Sequence, residues 1–154
     1  MTGGDARDAI TKLLLRYAEL VDEGAFSAVG DLFEHATFRA VVGTDVYTRR
    51  GRDEVRRQFE RLVLTYDGVP STKHVVTNVV VEVHADGLTA QARSYYNVLQ
   101  ARPDLPLQVI IAGRYHDTFE RVDGTWRFSD RLVFSDLIGD LSRHLKGSFP
   151  SSAG

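Results

Sequence analysis

The chain contains no cysteine and no long apolar run. Without cysteine it can form no disulfide bond, thiolate metal site, iron–sulfur cluster or cysteine nucleophile. No stretch approaches the ~20 apolar residues that a membrane-spanning helix needs, so no membrane association is expected. Residues 1–5 lack the basic and apolar regions of a secretory signal. These absences favour a protein of the reducing cytoplasm.

The chain also lacks a charge excess and the common nucleotide and hydrolase motifs. Its net charge is −2, whereas a nucleic-acid-binding domain usually carries a basic excess, so no nucleic-acid partner is expected. No G-x-G-x-x-G, G-x-x-x-x-G-K or G-x-S-x-G segment is present, so nothing supports dinucleotide binding, phosphate-loop binding or a hydrolase elbow. The five histidines show no close metal-ligand spacing. We therefore expect no metal and no cofactor.

What remains is the composition of a globular domain. Hydrophobic residues make up 43% of the chain and charged residues 26%, close to the average of folded proteins. A chain of 154 residues fits one domain and buries roughly 70% of its unfolded surface. We expect a single domain over residues 1–154, with an ordered core over about 7–146 and a loose tail after Lys146. Such a core is large enough to enclose a pocket.

Apolar residues at three- and four-residue spacing predict helices over 8–21, 26–33 and 53–66. In the first of these the stripe consists of Ile10, Leu13, Leu14, Tyr17, Leu20 and Val21. Residues 37–49 alternate in polarity about a turn at 43–45, which indicates a hairpin. The first half of the chain is therefore mainly helical.

From Thr72 onward the apolar residues recur at every second position, and β-branched residues are frequent. This pattern predicts four strands joined by turns and one proline-containing loop at 102–106; the strands cover 72–83, 89–99, 108–122 and 125–134. Successive strands joined by short connections are antiparallel. Helices grouped on one side of such a sheet define an α+β domain.

His74 and Asp22 are the strongest candidates for chemistry. His74 begins a strand whose inward face is predicted to carry His74, Val76, Asn78 and Val80. A neutral imidazole is a competent base near neutral pH when a carboxylate fixes its tautomer. Asp22, at the end of the first helix, is a candidate for that carboxylate. From position alone, a hydrogen-bonded core histidine and a simple helix-end aspartate remain open alternatives.

The opposite face of the sheet is predicted to be unusually apolar. Strand alternation assigns to it Val75, Val79, Val81, Val83, Ile110 and Ala112. A sheet face in contact with water usually carries more polar residues. We therefore expect a homodimer or homotrimer that buries this face.

Several segments carry a family resemblance that spans about residues 7–146. These segments are RYAELVD (16–22), DLF (31–33), GRD (51–53), HVVTN (74–78) and GRYHDTFERVDGTWRF (113–128). Together they resemble the SnoaL-like group of the nuclear-transport-factor-2-like superfamily. The resemblance implies a cone-shaped barrel, in which a curved, mainly antiparallel sheet surrounds a cavity that helices close.

The resemblance also implies a set of catalytic residues. In the lyases of this group, a helical aspartate pairs with a strand histidine that removes a proton from the substrate. Asp22 and His74 match that pair, Tyr17 matches a tyrosine near the substrate, and Arg131 matches a pocket arginine. Core packing for Tyr17 and a surface ion pair for Arg131 remain open as alternatives.

Strand parity and the resemblance together assign a substrate pocket. Its predicted members are Phe38, Asn78, Tyr96, Ile111, Tyr115 and Ser135. The group's dehydrochlorinase has a lysine in place of Tyr17 and a tryptophan in place of Phe38, which argues against dehydrochlorination here. The resemblance thus favours a dehydratase acting on a hydrophobic, cyclic, oxygenated small molecule. A polyketide-type cyclase or isomerase, and a non-catalytic binding or oxygenase-associated subunit, are the alternatives.

Overall fold

The computed structural model describes residues 2–147, and the predicted loose tail after Lys146 lies almost wholly outside them. Within this range there are three helices and six strands. The helices are α1 Gly3–Asp22, α2 Phe26–Leu32 and α3 Gly51–Leu62. The strands are β1 Thr37–Val42, β2 Asp45–Arg50, β3 Thr72–Val83, β4 Thr89–Arg102, β5 Leu105–Val122 and β6 Thr125–Ile138.

The six strands form one sheet in the order β2-β1-β6-β5-β4-β3. Every neighbouring pair is antiparallel except β1 and β6, which are parallel. Helix α1 packs against β3 and β6, and α3 packs against α2 and the β1–β2 hairpin. The helices therefore cover one face of the curved sheet, and the predicted α+β fold is confirmed. No helix within residues 2–147 is both long enough and apolar enough to cross a membrane.

Helix α1 begins at Gly3 rather than at residue 8, because Thr2 caps it. The Thr2 hydroxyl accepts a hydrogen bond from the Asp5 amide at 3.2 Å, and the Thr2 amide donates to the Asp5 carboxylate at 3.0 Å. This reciprocal capping box satisfies two amides that a helix start would otherwise leave unpaired. The predicted apolar stripe is the buried face of the helix, with Ile10, Leu14, Tyr17, Leu20 and Val21 in the core.

Helix α3 ends at Leu62, four residues earlier than predicted. Val63 has extended backbone angles and forms an isolated β-bridge with Leu145. The amide of Leu64 donates to the carbonyl oxygen of His144 at 2.8 Å. Long-range pairing with residues near the chain end therefore replaces the last helical turn. It holds residues 141–146, here called the C-terminal segment, beside the end of α3.

A β-bulge at Asn78 corrects the predicted faces of β3. Thr77 pairs with Tyr95 but Val80 pairs with Arg93, so β3 has one extra residue. Asn78 adopts a φ of 53°, a left-handed conformation that asparagine tolerates better than most residues. Beyond the bulge, the positions whose side chains point inward and outward are therefore exchanged. The assignment of three valines to the outer face was therefore wrong, because the core-packed residues are Val79, Val81 and Val83.

The outer-face assignment of Ile110 was also wrong. Val98 pairs with Ile111 while Leu99 pairs with Val109, so Ile110 is an extra residue in β5. Its side chain is fully buried in the core. Four exposed apolar residues on adjacent strands of the outer face, Val75, Tyr95, Val109 and Leu137, are here called the outer patch.

The β4–β5 connection is shorter than the loop predicted at 102–106. Arg102 pairs directly with Leu105, so both strands run up to a tight turn. At the other end of the sheet, β6 continues past residue 134 to Ile138, which pairs with Ile111. Three of the four long strands, β4, β5 and β6, are thus longer than the sequence pattern indicated, while β3 has the predicted bounds.

Candidate active site

A cavity of about 180 Å³ lies between the sheet and the helices α1 and α3. It is smaller than the ~300–1,000 Å³ pockets that hold drug-sized ligands, so it suits a small molecule. Its walls are mostly apolar, and helix residues such as Val21 and Phe59 form one side. The predicted site residues that line it are Tyr17, Phe38, His74, Tyr96, Ile111, Tyr115 and Ser135.

Asp22 and His74 are in direct contact at one side of this cavity. Asp22 is the last residue of α1, and its carboxylate accepts hydrogen bonds from the Thr72 hydroxyl and the His74 amide, each at 2.9 Å. His74 Nδ1 lies 2.6 Å from Asp22 Oδ1. The predicted contact between these two residues, 52 positions apart in sequence, is therefore confirmed. It forms because the end of α1 packs against the start of β3.

The contact fixes the state of the imidazole. Burial alone would raise the pKa of Asp22, but hydrogen bonds and charge from His74, together with the Thr72 hydroxyl, hold that pKa below its ordinary value. Asp22 is therefore ionised at neutral pH and can only accept hydrogen bonds. Nδ1 of His74 must then carry a proton, and the tautomer of the neutral imidazole that this contact selects has its Nε2 free to accept one. This is the arrangement of an oriented general base.

Arg131 lies beneath the cavity wall instead of lining it. Its guanidinium donates to Asp117 through Nε at 2.7 Å and Nη2 at 3.0 Å, and both side chains are fully buried. The guanidinium carbon lies 3.8 Å from the centre of the Tyr115 ring and 4.3 Å from that of Tyr17. The predicted approach of Arg131 to the cavity is thus indirect: it supports two tyrosines that line the cavity.

Burial sets the charge state of this cluster. It would lower the pKa of Arg131, but the Asp117 carboxylate more than offsets it and the pKa lies above the usual value. Burial raises the pKa of Tyr17 and of Tyr115 well above the usual value for a phenol, and raises that of Tyr96 to about 12. All three tyrosines are therefore neutral at physiological pH. Neutral phenols act as hydrogen-bond donors.

Tyr96 reaches its place because residue 113 is glycine. The Tyr96 hydroxyl donates to the carbonyl oxygen of Phe134 at 3.0 Å, and its ring stacks on Tyr115 with centroids 4.4 Å apart. A Cβ at Gly113 would lie 1.8 Å from the Phe134 oxygen and 2.8 Å from the Tyr96 hydroxyl. Any larger residue would force these groups apart, so Gly113 sets the position of this part of the wall.

Asn78 does not belong to the cavity, and its prediction as a substrate-binding residue was wrong. The bulge at this position turns the strand, and the Asn78 side chain is exposed. Strand parity failed here because it assumes an unbroken alternation from His74 onward.

Two polar residues of the cavity wall were missed, Gln58 and His144. Gln58 sits on a helix whose neighbouring residues are mostly charged, so nothing distinguishes it in the sequence. His144 belongs to the C-terminal segment and is only 6% exposed. Its flanking residues Leu141 and Leu145 were the available signal, since an apolar pair around a histidine indicates burial near the chain end.

The burial of His144 predicts that the protein loses stability in acid. Burial first, and then the charge of His74, lowers its pKa to about 4, with Asp22 opposing. Between about pH 6.5 and 4 the unfolded chain takes up a proton that the folded chain refuses, so the free energy of unfolding falls, by up to about 3 kcal/mol. Urea titrations at pH 7 and 5 are expected to show this fall, and the H144Q variant is expected to show a smaller one. Equal falls in both proteins would contradict the assignment.

Other regions of the structure offer less support for a functional site than the cavity beside Asp22 and His74. A second hollow of about 400 Å³ lies away from the dyad, among outer-face side chains such as Arg39, Arg93 and His116. Within residues 2–147, no group of three or more histidine or carboxylate side chains is placed to hold a metal ion.

Comparison with known proteins identifies the family. The SnoaL-like domain matches residues 5–132, which is most of the chain. The protein belongs to this family, and its fold is that of the nuclear-transport-factor-2-like proteins. No curated protein matches the chain significantly.

Solved structures share the fold at low sequence identity. A proposed scytalone dehydratase from Novosphingobium aromaticivorans is 20% identical over 96% of this chain and 93% of its own, with a TM-score of 0.69. The β subunit of a proposed aromatic-ring-hydroxylating dioxygenase from the same organism is 18% identical over 88% and 92%, with a TM-score of 0.72. An NTF2-like protein with a cystatin-like fold from that organism is 22% identical over 84% and 81%, with a TM-score of 0.68.

Proposed function

We propose that the protein is a cofactor-independent lyase, a dehydratase of a small, hydrophobic, cyclic, oxygenated molecule. The observation that carries this proposal is the 2.6 Å contact between Asp22 and His74 beside a largely apolar cavity. His74 is the general base and Asp22 orients it. A positioned base of this kind typically contributes about 10²–10⁴-fold to the rate.

The proposed reaction is an elimination of water. Nε2 of His74 takes a proton from a ring carbon, and the electron pair of the broken C–H bond forms a C=C bond. The C–O bond to the neighbouring hydroxyl breaks, and the proton held by His74 returns to the departing oxygen to complete a water molecule. Tyr17 and Tyr115, which line the cavity as neutral phenols, supply hydrogen bonds to the negative charge that develops.

Two other functions use the same fold. A cyclase or isomerase needs the same base and the same cavity, and differs only in the fate of the carbanion. A non-catalytic subunit is the alternative suggested by the dioxygenase β subunit with a similar fold. The dyad supports an enzyme over a scaffold, since a subunit that only holds a partner has no use for a carboxylate-oriented histidine at a cavity.

The test is proton removal itself. We expect the protein, incubated in D₂O with a panel of cyclic β-hydroxy ketones, to convert at least one member to the conjugated enone, seen as a rise in ultraviolet absorbance. Deuterium incorporation next to the carbonyl without loss of water would instead indicate the isomerase or cyclase. The variant H35Q is the matched control, because His35 is half exposed and pairs with its neighbour Glu34, away from the residues that line the cavity. No exchange and no elimination would refute the enzyme assignment.

We also propose that the protein forms a homodimer or homotrimer through the outer patch. Val75, Tyr95, Val109 and Leu137 are 41–64% exposed on four adjacent strands. An apolar surface shared by neighbouring strands is the kind that oligomers bury.

Light scattering at micromolar concentration is expected to give a mass at least twice that of the 17.2 kDa chain. The variant L137E is expected to shift the protein towards the monomer, because it places a charge in the patch. V46E is the control, since Val46 is also exposed, at 55% against 64% for Leu137, but lies on the β1–β2 hairpin. A stable wild-type monomer would contradict the proposal.

A further inference from the structure

The cavity contains a second histidine that the proposed mechanism has not used. His144 and His74 both line the cavity, with ring centroids 6.3 Å apart and planes at 64°. Nδ1 of His144 is buried and has no hydrogen-bond partner within residues 2–147. A buried polar atom without a partner is costly. Because Nδ1 itself has almost no accessible surface, the ring atom that a ligand in the cavity would meet is Nε2.

The position of His144 is well fixed. Its carbonyl oxygen accepts from the Leu64 amide at 2.8 Å, and its own amide donates to Leu141 at 3.0 Å. The carbonyl of the preceding residue, Arg143, accepts from Gln100 at 2.9 Å and from the Tyr66 hydroxyl at 2.8 Å. The C-terminal segment is thus tied to β4 and to the chain after α3. An imidazole on such a pinned backbone is preorganised for a ligand.

The two histidines have opposite surroundings. His74 has a carboxylate partner, Asp22, which stabilises the imidazolium that forms when His74 accepts a proton. Within residues 2–147, His144 has no carboxylate of its own, because Asp22, which faces it, is already engaged by His74. Its burial keeps the ring neutral over the whole neutral range, so it can donate a hydrogen bond but is poorly suited to hold a proton. Two titratable groups whose surroundings differ in this way usually have different roles in a reaction: here His74 suits a base and His144 a neutral hydrogen-bond donor.

We propose that His144 donates a hydrogen bond to a carbonyl oxygen of the substrate. The carbon of this carbonyl group is bonded directly to the carbon from which His74 removes the proton. This inference rests on the proposed function and adds to it the residue that holds the substrate's oxygen while the proton is removed. As the C–H bond breaks, negative charge moves onto the carbonyl oxygen as an enolate. A neutral imidazole donor stabilises that charge without transferring its own proton.

The first test uses binding and needs no turnover. The probes are 1-tetralone and tetralin, two bicyclic molecules of similar shape of which only the first has a carbonyl group. We expect wild-type protein to bind 1-tetralone roughly tenfold more tightly than tetralin in calorimetric titrations, the worth of one good hydrogen bond. The variant H144L is expected to lose this preference, while H144N, which retains an amide donor, is expected to recover part of it.

The controls separate this inference from the proposed function. The base variant H74Q is expected to keep the preference for 1-tetralone, and so is H35Q. If wild-type protein catalyses no proton exchange but still shows the preference, the function proposal fails and the role of His144 stands. Equal affinity of wild-type protein for 1-tetralone and tetralin would overturn the role of His144.

A spectroscopic readout guards against variants that fold poorly. In wild-type protein, bound 1-tetralone is expected to show its carbonyl stretch at lower frequency than in an apolar solvent, and H144L is expected to reverse this shift. With ¹⁵N-labelled histidine, the ring nitrogens of His144 are expected to move on addition of 1-tetralone and not of tetralin. A carbonyl band unchanged by H144L, or nitrogen signals that respond equally to both probes, would overturn the proposal.

Discussion

Replacing His74 by glutamine is expected to reduce turnover by about 10²–10⁴-fold and to leave the fold intact. Glutamine can still donate a hydrogen bond to Asp22, but it cannot accept a proton from carbon. The start of β3 keeps its other ties to α1, because Asp22 also accepts from the Thr72 hydroxyl and from the amide of residue 74. The measurements are turnover of the substrate found in the ketone panel and the urea midpoint of each protein.

The partner variant D22N tests the orienting role. An asparagine side chain can present an amide group to Nδ1, which favours the tautomer with its proton on Nε2 and so blocks the base. Asp22 also holds the β3 start, so D22N is expected to lose stability as well as activity. T72V is the matched control, since it removes the 2.9 Å hydrogen bond to Asp22 without touching the imidazole. T72V should therefore lower the urea midpoint and retain most of the activity.

Equal turnover in wild type, H74Q and D22N would contradict the dyad. A second contradictory pattern is a loss of activity in T72V as large as that in D22N at equal stability. That result would mean that the tie between α1 and β3, and not the tautomer of His74, sets the rate.

Local signals made both members of the dyad candidates, and the family resemblance paired them. Asp22 ends an amphipathic helix and His74 begins a β-branched strand, and each feature can be recognised within a short window of sequence. Their contact then follows from the helix covering the sheet. Strand parity and the resemblance together predicted Tyr96 and Tyr115 in the cavity wall, and both line the cavity.

The bulges at Asn78 and Ile110 were not predictable by the same reasoning. Each inserts one residue between otherwise regular pairings, and the resulting reversal depends on the register with the neighbouring strand. Asn78 offered a weak sign, since asparagine tolerates a positive φ. Ile110 offered none, because it stands in a run of apolar residues that fits either face.

His144 was missed for a different reason. Its place in the cavity depends on the bridge between Val63 and Leu145, which are far apart in the sequence. Local periodicity favoured a longer α3 and assigned no partner to residues 141–146. Pairings of this kind are decided by the tertiary structure and leave no periodic pattern in either segment.

The pairing of Arg131 with Asp117 had a usable signal. The two residues are directly opposite on β5 and β6, and both lie on the inward face of their strands. Opposite charges at such cross-strand positions attract. The resemblance directed attention to Arg131 as a pocket residue, whereas its carboxylate partner holds it behind Tyr17 and Tyr115.

Removing Asp117 is expected to be the most destabilising single change in the site. The variant D117L leaves the Arg131 guanidinium buried, charged and without its two hydrogen bonds, and loss of one partner of a buried ion pair typically costs about 3–5 kcal/mol. The expected fall in the free energy of unfolding is measurable by urea titration. D136L is the matched control, because Asp136 pairs with Arg114 at 2.8 Å on the surface, where such pairs are worth about 0–1 kcal/mol.

The double variant D117L/R131M decides whether the loss comes from charge or from packing. Replacing both partners by apolar residues removes the uncompensated charge, so the double variant is expected to recover most of the stability that D117L loses. The double variant lacks the guanidinium of Arg131, which in the wild-type protein lies 4.3 Å from the centre of the Tyr17 ring and 3.8 Å from that of Tyr115. Turnover is therefore expected to stay reduced while the urea midpoint recovers. A double variant as unstable as D117L would show that shape, and not charge, holds this side of the cavity. Full activity in a stable double variant would show that the tyrosines need no support from Arg131.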